Sequence, residues 1–262
     1  MARSPARSVL RTLGRDRLQT LLYGALGITV FLAGWEAIGQ YRVFGSTWPP
    51  FTDTVSYVFD DARRGLYKRA WQATLAKAAG GYLLGMVLGL AFAALVHNIT
   101  ALRPGLDRLS SFLHAVPAIA LAPIFMVLLN RDYVGMAIAT LNVYFIVYIA
   151  ATSGLNNSSR AHRDLFRALG ARRLRKLISL DLPAALPPVI TGLKYAVSAA
   201  LVGSLIGEWF GASRGLGVLM VSAMQNYQIT LLWGAVLIVA GVSLLLYGLS
   251  TLLERLVYGR FT

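Results

Sequence analysis

Six stretches of the sequence each carry roughly 20 mostly apolar residues, which is the length that an α-helix needs to cross a lipid bilayer. Only 14% of the residues are charged, whereas an ordinary soluble domain has about 25%. The pattern therefore predicts an all-α membrane protein with six transmembrane helices, in a single domain that covers residues 20–262. We place the six spans at residues 20–39, 73–97, 112–130, 134–154, 185–209 and 230–253.

The basic residues between the spans predict the orientation of the chain. With the N-terminus in the cytoplasm, the inner segments hold sixteen Lys and Arg residues and the outer segments hold seven. This positive-inside bias predicts that both termini are cytoplasmic and that residues 1–19 form a basic cytoplasmic segment. The net charge of +14 is spread between apolar spans and does not line one face, so we do not expect a nucleic-acid partner.

Glycine and proline predict two features of the spans. Gly81, Gly85 and Gly89 form a stripe at helical spacing in the second span, which lets another helix approach closely. Pro117 and Pro123 lie in the third span, where they remove backbone donors. We therefore expect a packed second helix and a kinked or broken third one.

The outer segment 51–69 is too polar to cross the membrane. Its apolar residues Phe51, Val55, Val58 and Phe59 recur at helical spacing. The pattern predicts an amphipathic helix that lies on the outer surface.

Two lysines fall inside predicted spans, where an uncompensated charge is unfavourable. Lys77 and Lys194 each lie only a few residues from the end of a span. We therefore expect both ammonium groups to extend to the headgroup region.

The chain lacks the residue sets that catalysis requires. It has no cysteine, no phosphate-binding loop and no metal-binding motif. Residues 211–215, GASRG, match the G-x-S-x-G of serine hydrolases, but all three histidines precede Ser213. We therefore reject the hydrolase reading and predict that the chain is not an enzyme and binds no metal.

The cytoplasmic segment 161–183 is the most basic part of the chain. It contains FRALGARRLRKLISLDLP, in which five of eighteen residues are Arg or Lys. We predict two amphipathic helices separated at Gly170, the second ending at Leu182-Pro183. They either dock onto another protein or lie on anionic lipid headgroups. An apolar ridge on the first helix consists of Leu165, Phe166 and Leu169.

This segment resembles the cytoplasmic EAA loop of binding-protein-dependent ABC importer permeases, whose form is E-A-A, three residues, G, nine residues, I-x-L-P. Gly170, Leu182 and Pro183 match at the required spacing, and Leu180 replaces the isoleucine. Asp164-Leu165-Phe166 stands in place of E-A-A and keeps only its acid. The loop that this resemblance implies for coupling to an ATPase consists of Asp164, Leu165, Phe166, Leu169, Gly170, Ala171, Leu180, Leu182 and Pro183.

Three further stretches resemble the nitrate/sulfonate/taurine branch of these permeases. They are PAIALAPIFMVLL (117–129), LPAALPPVITGLKYA (182–196) and GEWFGASRGLGVLM (207–220). The resemblance implies a type I ABC importer transmembrane domain in the bacterial inner membrane, paired with a second copy of itself. It also implies two ATP-binding subunits, which hold ATP and Mg²⁺ on separate chains, and an external substrate-binding protein. Sulfonates, taurine, nitrate and pyrimidine-type precursors all remain open as substrates.

Polarity and position give four candidates for the solute pathway: Asn142, Ser198, Ser204 and Glu208. Asn142 lies in the middle of a span and alternatively hydrogen-bonds a neighbouring helix. Glu208, next to Trp209, alternatively sits at the membrane interface. A secondary transporter or channel that works without an ATPase is the alternative function, although such proteins typically show internal repeats or buried coupling charges.

Overall fold

The computed structural model describes the backbone of residues 6–258 and the side chains of residues 19–20 and 22–256. The side chains of the predicted basic segment 1–19, apart from residue 19, lie outside this range. The described residues form helices, turns and loops. The α-helices are α1 (Ala6–Gln40), α2 (Phe51–Phe59), α3 (Asp61–Asn98), α4 (Arg103–Ala115), α5 (Ala118–Leu128), α6 (Val134–Leu155), α7 (Arg160–Ala168), α8 (Arg173–Lys176), α9 (Leu182–Glu208), α10 (Leu216–Gln225) and α11 (Ile229–Tyr258).

The long apolar helices occupy the predicted spans. Five helices, α1, α3, α6, α9 and α11, are long and apolar enough to cross a membrane. The bent pair α4–α5 supplies a sixth span if it is counted as one. The predicted all-helical membrane fold is therefore confirmed.

The break in the third span falls at Pro117. Helices α4 and α5 meet at an angle of 96°. Val116 is extended, with ψ 122°, as expected for a residue that precedes proline. Pro123 lies inside α5, which continues past it. The break predicted for this span is thus confirmed at one of its two prolines.

The outer segment 51–69 differs from the single amphipathic helix that we predicted. It forms α2 and the start of α3, separated at Asp60. The Asp60 carboxylate accepts a hydrogen bond from the Ala62 amide at 3.1 Å, which is the geometry of a helix N-cap. Because the cap starts a new helix there, α3 runs for 38 residues, or about 57 Å, and extends well beyond the membrane core.

Helix α10 was missed by sequence reasoning. It lies in the outer segment 210–229 and buries Leu216, Leu219 and Ala223. These side chains belong to an apolar cluster with residues of α3, α9 and α11. The outer segment therefore folds back onto the bundle.

Helix α6 is the centre of the bundle and lies between α3 and α9. The glycine stripe of α3 faces it, because a Cβ on Gly85 would lie 2.6 Å from the Thr140 carbonyl oxygen. On the opposite side, a Cβ on Gly203 of α9 would lie 2.7 Å from the Cα of Ala139. The predicted role of the stripe in helix packing is confirmed.

We predict that Gly85→Ala destabilises the protein by about 1–3 kcal/mol, because the added methyl group has no room against α6. Gly241→Ala is the matched control, since a Cβ there meets open space among the described residues. Thermal unfolding of the purified protein in detergent measures both. Equal melting temperatures for the two variants would contradict the packing described for α3 and α6.

Candidate functional site

The segment between α6 and α9 begins with a short exposed helix, α7. The Ser159 hydroxyl caps it by accepting a hydrogen bond from the His162 amide at 3.2 Å. On the helix surface Leu165 is 53% exposed and Leu169 is 73% exposed, with Phe166 half-buried between them. The apolar ridge predicted from the sequence is therefore present and uncovered within this chain.

Gly170 ends α7 in the left-handed conformation, with φ +63°. The Ala171 amide donates to the Phe166 carbonyl at 3.0 Å, and the Gly170 amide donates to the Arg167 carbonyl at 3.0 Å. This pair of bonds is the Schellman motif, which satisfies carbonyls at a helix C-terminus and favours glycine. The predicted glycine C-cap is confirmed.

Asp164 occupies the surface of α7. Its carboxylate pairs with Arg167 at 3.2 Å, and both side chains are largely exposed. Such a pair contributes little to stability, on the order of 0–1 kcal/mol. Asp164 is therefore open to a partner molecule.

The second half of the segment differs from our prediction that a helix ends at Leu182-Pro183. Helix α8 passes into a π-helical turn over Leu177–Asp181, which contains Leu180, and then directly into α9. The Leu182 amide donates to the Leu177 carbonyl, five residues back. Pro183 then falls in the first turn of α9, directly after the π-helical turn, and supplies no N–H to the carbonyls of that turn.

The start of the fifth span was also placed too late. We placed it at 185–209, whereas α9 begins at Leu182 and contains Pro187 and Pro188. The second half of the basic segment and this span thus form one continuous helical rod, Arg173–Glu208.

Asp181 joins this rod to the end of α3. Its side chain is only 2% exposed, 3.4 Å from Lys176 Nζ and 3.5 Å from His97 Nε2. Nearby, Arg173 Nη2 donates to the Asn98 carbonyl at 2.5 Å. Sequence reasoning passed over Asp181, although a single acid after a basic run was the available signal.

At the opposite end of the bundle, Glu208 is almost completely buried, with 1% exposure. Its carboxylate lies 3.1 Å from Lys77 Nζ and accepts hydrogen bonds from Thr74 Oγ1 at 2.9 Å and the Gly217 amide at 2.9 Å. Lys77 thus has a counter-charge within the protein, and its extension to the headgroups stays a prediction. We call Thr74, Lys77 and Glu208 the outer clasp, after the side of the membrane on which the sequence predicts them to lie.

The outer clasp also holds the loop that leads into α10. Lys77 Nζ donates to the Arg214 carbonyl at 2.5 Å, and the Leu216 amide donates to Thr74 Oγ1 at 2.8 Å. Gly215 has φ +149°, and a Cβ there would collide with the Glu208 carboxylate. The loop is therefore fixed to α3 and α9 by buried polar contacts.

Lys194 is paired as well. Its Nζ lies 2.8 Å from Glu254 of α11, whose other carboxylate oxygen accepts from Thr191 at 2.9 Å. Glu254 lies near the end of α11, next to the segment predicted to be cytoplasmic, so the extension of Lys194 to the headgroups stays a prediction.

The remaining pathway candidates lie at the contact between α6 and α9. Ser204 is fully buried and donates to the Leu201 carbonyl at 2.8 Å. Asn142 lies beside Gly203, with its Nδ2 3.0 Å from the position of a Cβ there. Asn142 and Ser198 are half-buried, whereas Ser204 and Glu208 are enclosed and engaged by the chain itself.

The fold defines the class of the protein. The chain superposes on the MetNI methionine ABC transporter in an inward-facing conformation with a TM-score of 0.66 and 19% identity, covering 76% of this chain and 99% of that chain. It also superposes on an amino acid ABC transporter with a TM-score of 0.63 and 15% identity, covering 80% and 98% of the two chains. This is the type I fold of ABC importer permeases.

The sequence then places the chain more narrowly. Residues 81–259 match the family described as binding-protein-dependent transport system inner membrane component, and the chain belongs to that family. A probable ABC transporter permease of Haemophilus influenzae is 36% identical over 189 residues, covering 71% of this chain and 77% of that protein. A putative aliphatic sulfonates transport permease of Bacillus subtilis is 28% identical over 257 residues, covering 97% and 93%.

The chain is therefore a multi-pass permease subunit of an ATP-driven importer in the inner membrane. Permeases of this family are not enzymes themselves, because the ATPase resides on separate chains. They work with ATP-binding subunits and substrate-binding proteins. The resemblance noted in the sequence is confirmed at the level of the family.

We predict that Glu208→Gln lowers stability by about 3–5 kcal/mol, because it leaves the Lys77 charge buried without a counter-charge. The double variant Lys77→Met with Glu208→Gln should recover part of this loss. Asp61→Asn is the control, since Asp61 is almost fully exposed and lies 3.7 Å from Arg64. Thermal unfolding in detergent measures all three, and a double variant no more stable than Glu208→Gln would argue against the pair.

Proposed function

We propose that α7 is the element through which the ATP-binding subunits drive this permease. The observation that carries the proposal is the apolar ridge of Leu165, Phe166 and Leu169, uncovered in this chain and ended by the Gly170 motif. An apolar ridge on a short protruding helix suits a groove on a partner protein. Its likeness to the EAA loop, with Asp164 in place of the acid, supports the same assignment.

In this proposal the rod that follows α7 carries the motion into the bundle. ATP and Mg²⁺ bind the partner subunits and draw them together. Ala171 and Arg172 are the two residues between the Gly170 turn and α8. Leu180, Leu182 and Pro183 lie in the continuous helix that follows, so a displacement of α7 moves α9. The contact of Asp181 with the end of α3 then moves α3 together with α9. ATP binding thus shifts the packed bundle between two arrangements, which is the alternating-access mechanism.

We further propose that two copies of the chain pair with two ATP-binding subunits. The bent pair α4–α5 supports this, because Val127 on α5 is 87% exposed and its neighbour Leu128 is 70% exposed. The positive-inside bias supports cytoplasmic termini, which put α7 on the side where ATP is available.

The opposite end of the bundle would then receive the solute from the external binding protein. Helix α2 and the loop before α10 form part of this face, and the outer clasp gives that loop a fixed shape. The half-buried Asn142 and Ser198 are our candidates for the solute pathway, with Ser204 and Glu208 positioning the helices behind it. The solute is a small molecule that the binding protein selects.

We predict that Gly170→Val uncouples uptake from ATP hydrolysis, because valine is strained at φ +63°. A Cβ at this position meets open space among the described residues, so the penalty is one of backbone conformation. Gly170→Asn should keep most of the activity, since asparagine tolerates the left-handed region. Uptake and ATPase rates in proteoliposomes of the full complex measure both variants.

Gly105→Val is the control for these variants, because a Cβ on Gly105 also meets open space and the residue lies in α4 outside the segment. Full uptake by Gly170→Val, with the ATPase still coupled, would refute the assignment of α7.

We also predict that Leu165→Ser with Leu169→Ser lowers the amount of ATP-binding subunit that co-purifies with the permease, by about tenfold or more. Both side chains are exposed, so the permease itself should remain folded. Leu102→Ser is the control, because Leu102 is exposed near the same end of the bundle but outside α7. If the double variant co-purifies with the ATP-binding subunit as well as the unaltered permease does, the apolar ridge is not the contact between them.

A further inference from the structure

A cavity of about 500 Å³ opens beside the junction of α3 and α8, at the end of the bundle that carries α7. Its volume lies within the range of small-ligand sites, about 300–1,000 Å³. Four basic side chains and one acidic side chain line it: His97, Arg103, Arg173, Lys176 and Asp181. The coupling of α7 to an ATPase does not explain why basic groups from three helices converge on this hollow.

The charges in and around the cavity do not balance. Asp181 is matched by Lys176 at 3.4 Å, and Arg103 is matched by Asp107 at 3.5 Å. Arg173 instead donates only to neutral acceptors, the carbonyls of His97 and Asn98, at 3.3 and 2.5 Å. Within the described part of the chain it forms no ion pair, so the cavity holds one guanidinium without a counter-charge.

The geometry of the unmatched group indicates the ligand. A guanidinium presents a planar fork of donors that fits the oxygens of a phosphate, and only Nη2 of Arg173 is used by the protein. Thr100 also lines the cavity, and a threonine hydroxyl is able to donate to a phosphate oxygen. Basic pockets between helices at the cytoplasmic surface are suited to anionic headgroups.

We propose that this cavity binds a phosphate group, carried either by an anionic phospholipid of the adjacent leaflet or by a soluble phosphate compound. The phosphate lies between Arg173 on α8 and Arg103 on α4, next to the end of α3. A bound phosphate holds α3, α4 and α8 together at the point where the basic segment meets the bundle. The permease thereby gains a site at which membrane composition or a soluble anion stabilises the α3–α8 junction.

The test uses the full-length permease in detergent and two probes. The first is sodium phosphate against sodium chloride at equal ionic strength, and the second is phosphatidylglycerol against phosphatidylcholine in mixed micelles. We expect at least one probe to raise the melting temperature of the unaltered protein. In Arg173→Gln and in Arg103→Gln the concentration needed for this effect should rise about tenfold, which is about 1.4 kcal/mol of binding.

Matched controls remove the same charge at the same end of the bundle. Arg172→Gln and Arg108→Gln alter exposed residues that neighbour the two sites in sequence but do not line the cavity. Both should respond like the unaltered protein. If Arg173→Gln does not fold, Arg103→Gln still decides, because Arg103 lies on α4 and its pair with Asp107 is half-exposed.

The outcomes separate the two sources of the phosphate. A response to phosphatidylglycerol alone identifies the lipid, and a response to inorganic phosphate identifies a soluble anion. The proposal is overturned if neither probe stabilises the protein, or if the control variants weaken the response as much as the cavity variants. It is also overturned if Arg103→Gln lowers ATPase co-purification while leaving the phosphate response intact, because the cavity would then belong to that interface.

Discussion

The close approach of α3 and α9 to the two sides of α6 is the constraint on which the rest of the structure depends. In lipid there is no hydrophobic driving force between apolar helices, so association relies on contact at short range. Gly81, Gly85 and Gly89 allow this contact on one side, and Gly203 and Gly207 allow it on the other. Once these backbones touch, the register of three helices is set, and with it the position of every polar group at their ends.

The polar groups follow that register. Lys77 meets Glu208 at one end of the bundle and Asp181 meets Lys176 at the other, each within hydrogen-bonding or ion-pairing distance. A buried ion pair contributes little net stability, because desolvation offsets the attraction, but a mispaired arrangement leaves a charge uncompensated. These pairs therefore disfavour mispaired alignments of the helices. A permease that alternates between two arrangements needs such pairs at the ends of its helices.

Local features of the sequence predicted local features of the fold. The apolar runs predicted the spans, Pro117 predicted the break, and Gly170 predicted the end of α7. Each of these features acts on the chain at its own position in the sequence. The fourth span, placed at 134–154, is the helix Val134–Leu155.

Features that depend on distant residues were missed. Lys77 and Glu208 are 131 positions apart, and no periodicity connects them. For this reason the carboxylate partners of the two intramembrane lysines were not predicted. The π-helical turn was missed because Pro183 normally marks a helix boundary, and only the five-residue bond from Leu182 to Leu177 reveals that the chain continues. The role of α7 stays a prediction, since its partner is a different molecule.

The continuity of α9 has a mechanical consequence. Its 27 residues span about 40 Å, and the helix begins directly after Asp181 and ends at Glu208. The middle of this helix is held as closely as its ends, because Gly192, Ala196 and Ala200 are buried there. In the proposed mechanism, a displacement at one end therefore has to move the helix as a single body.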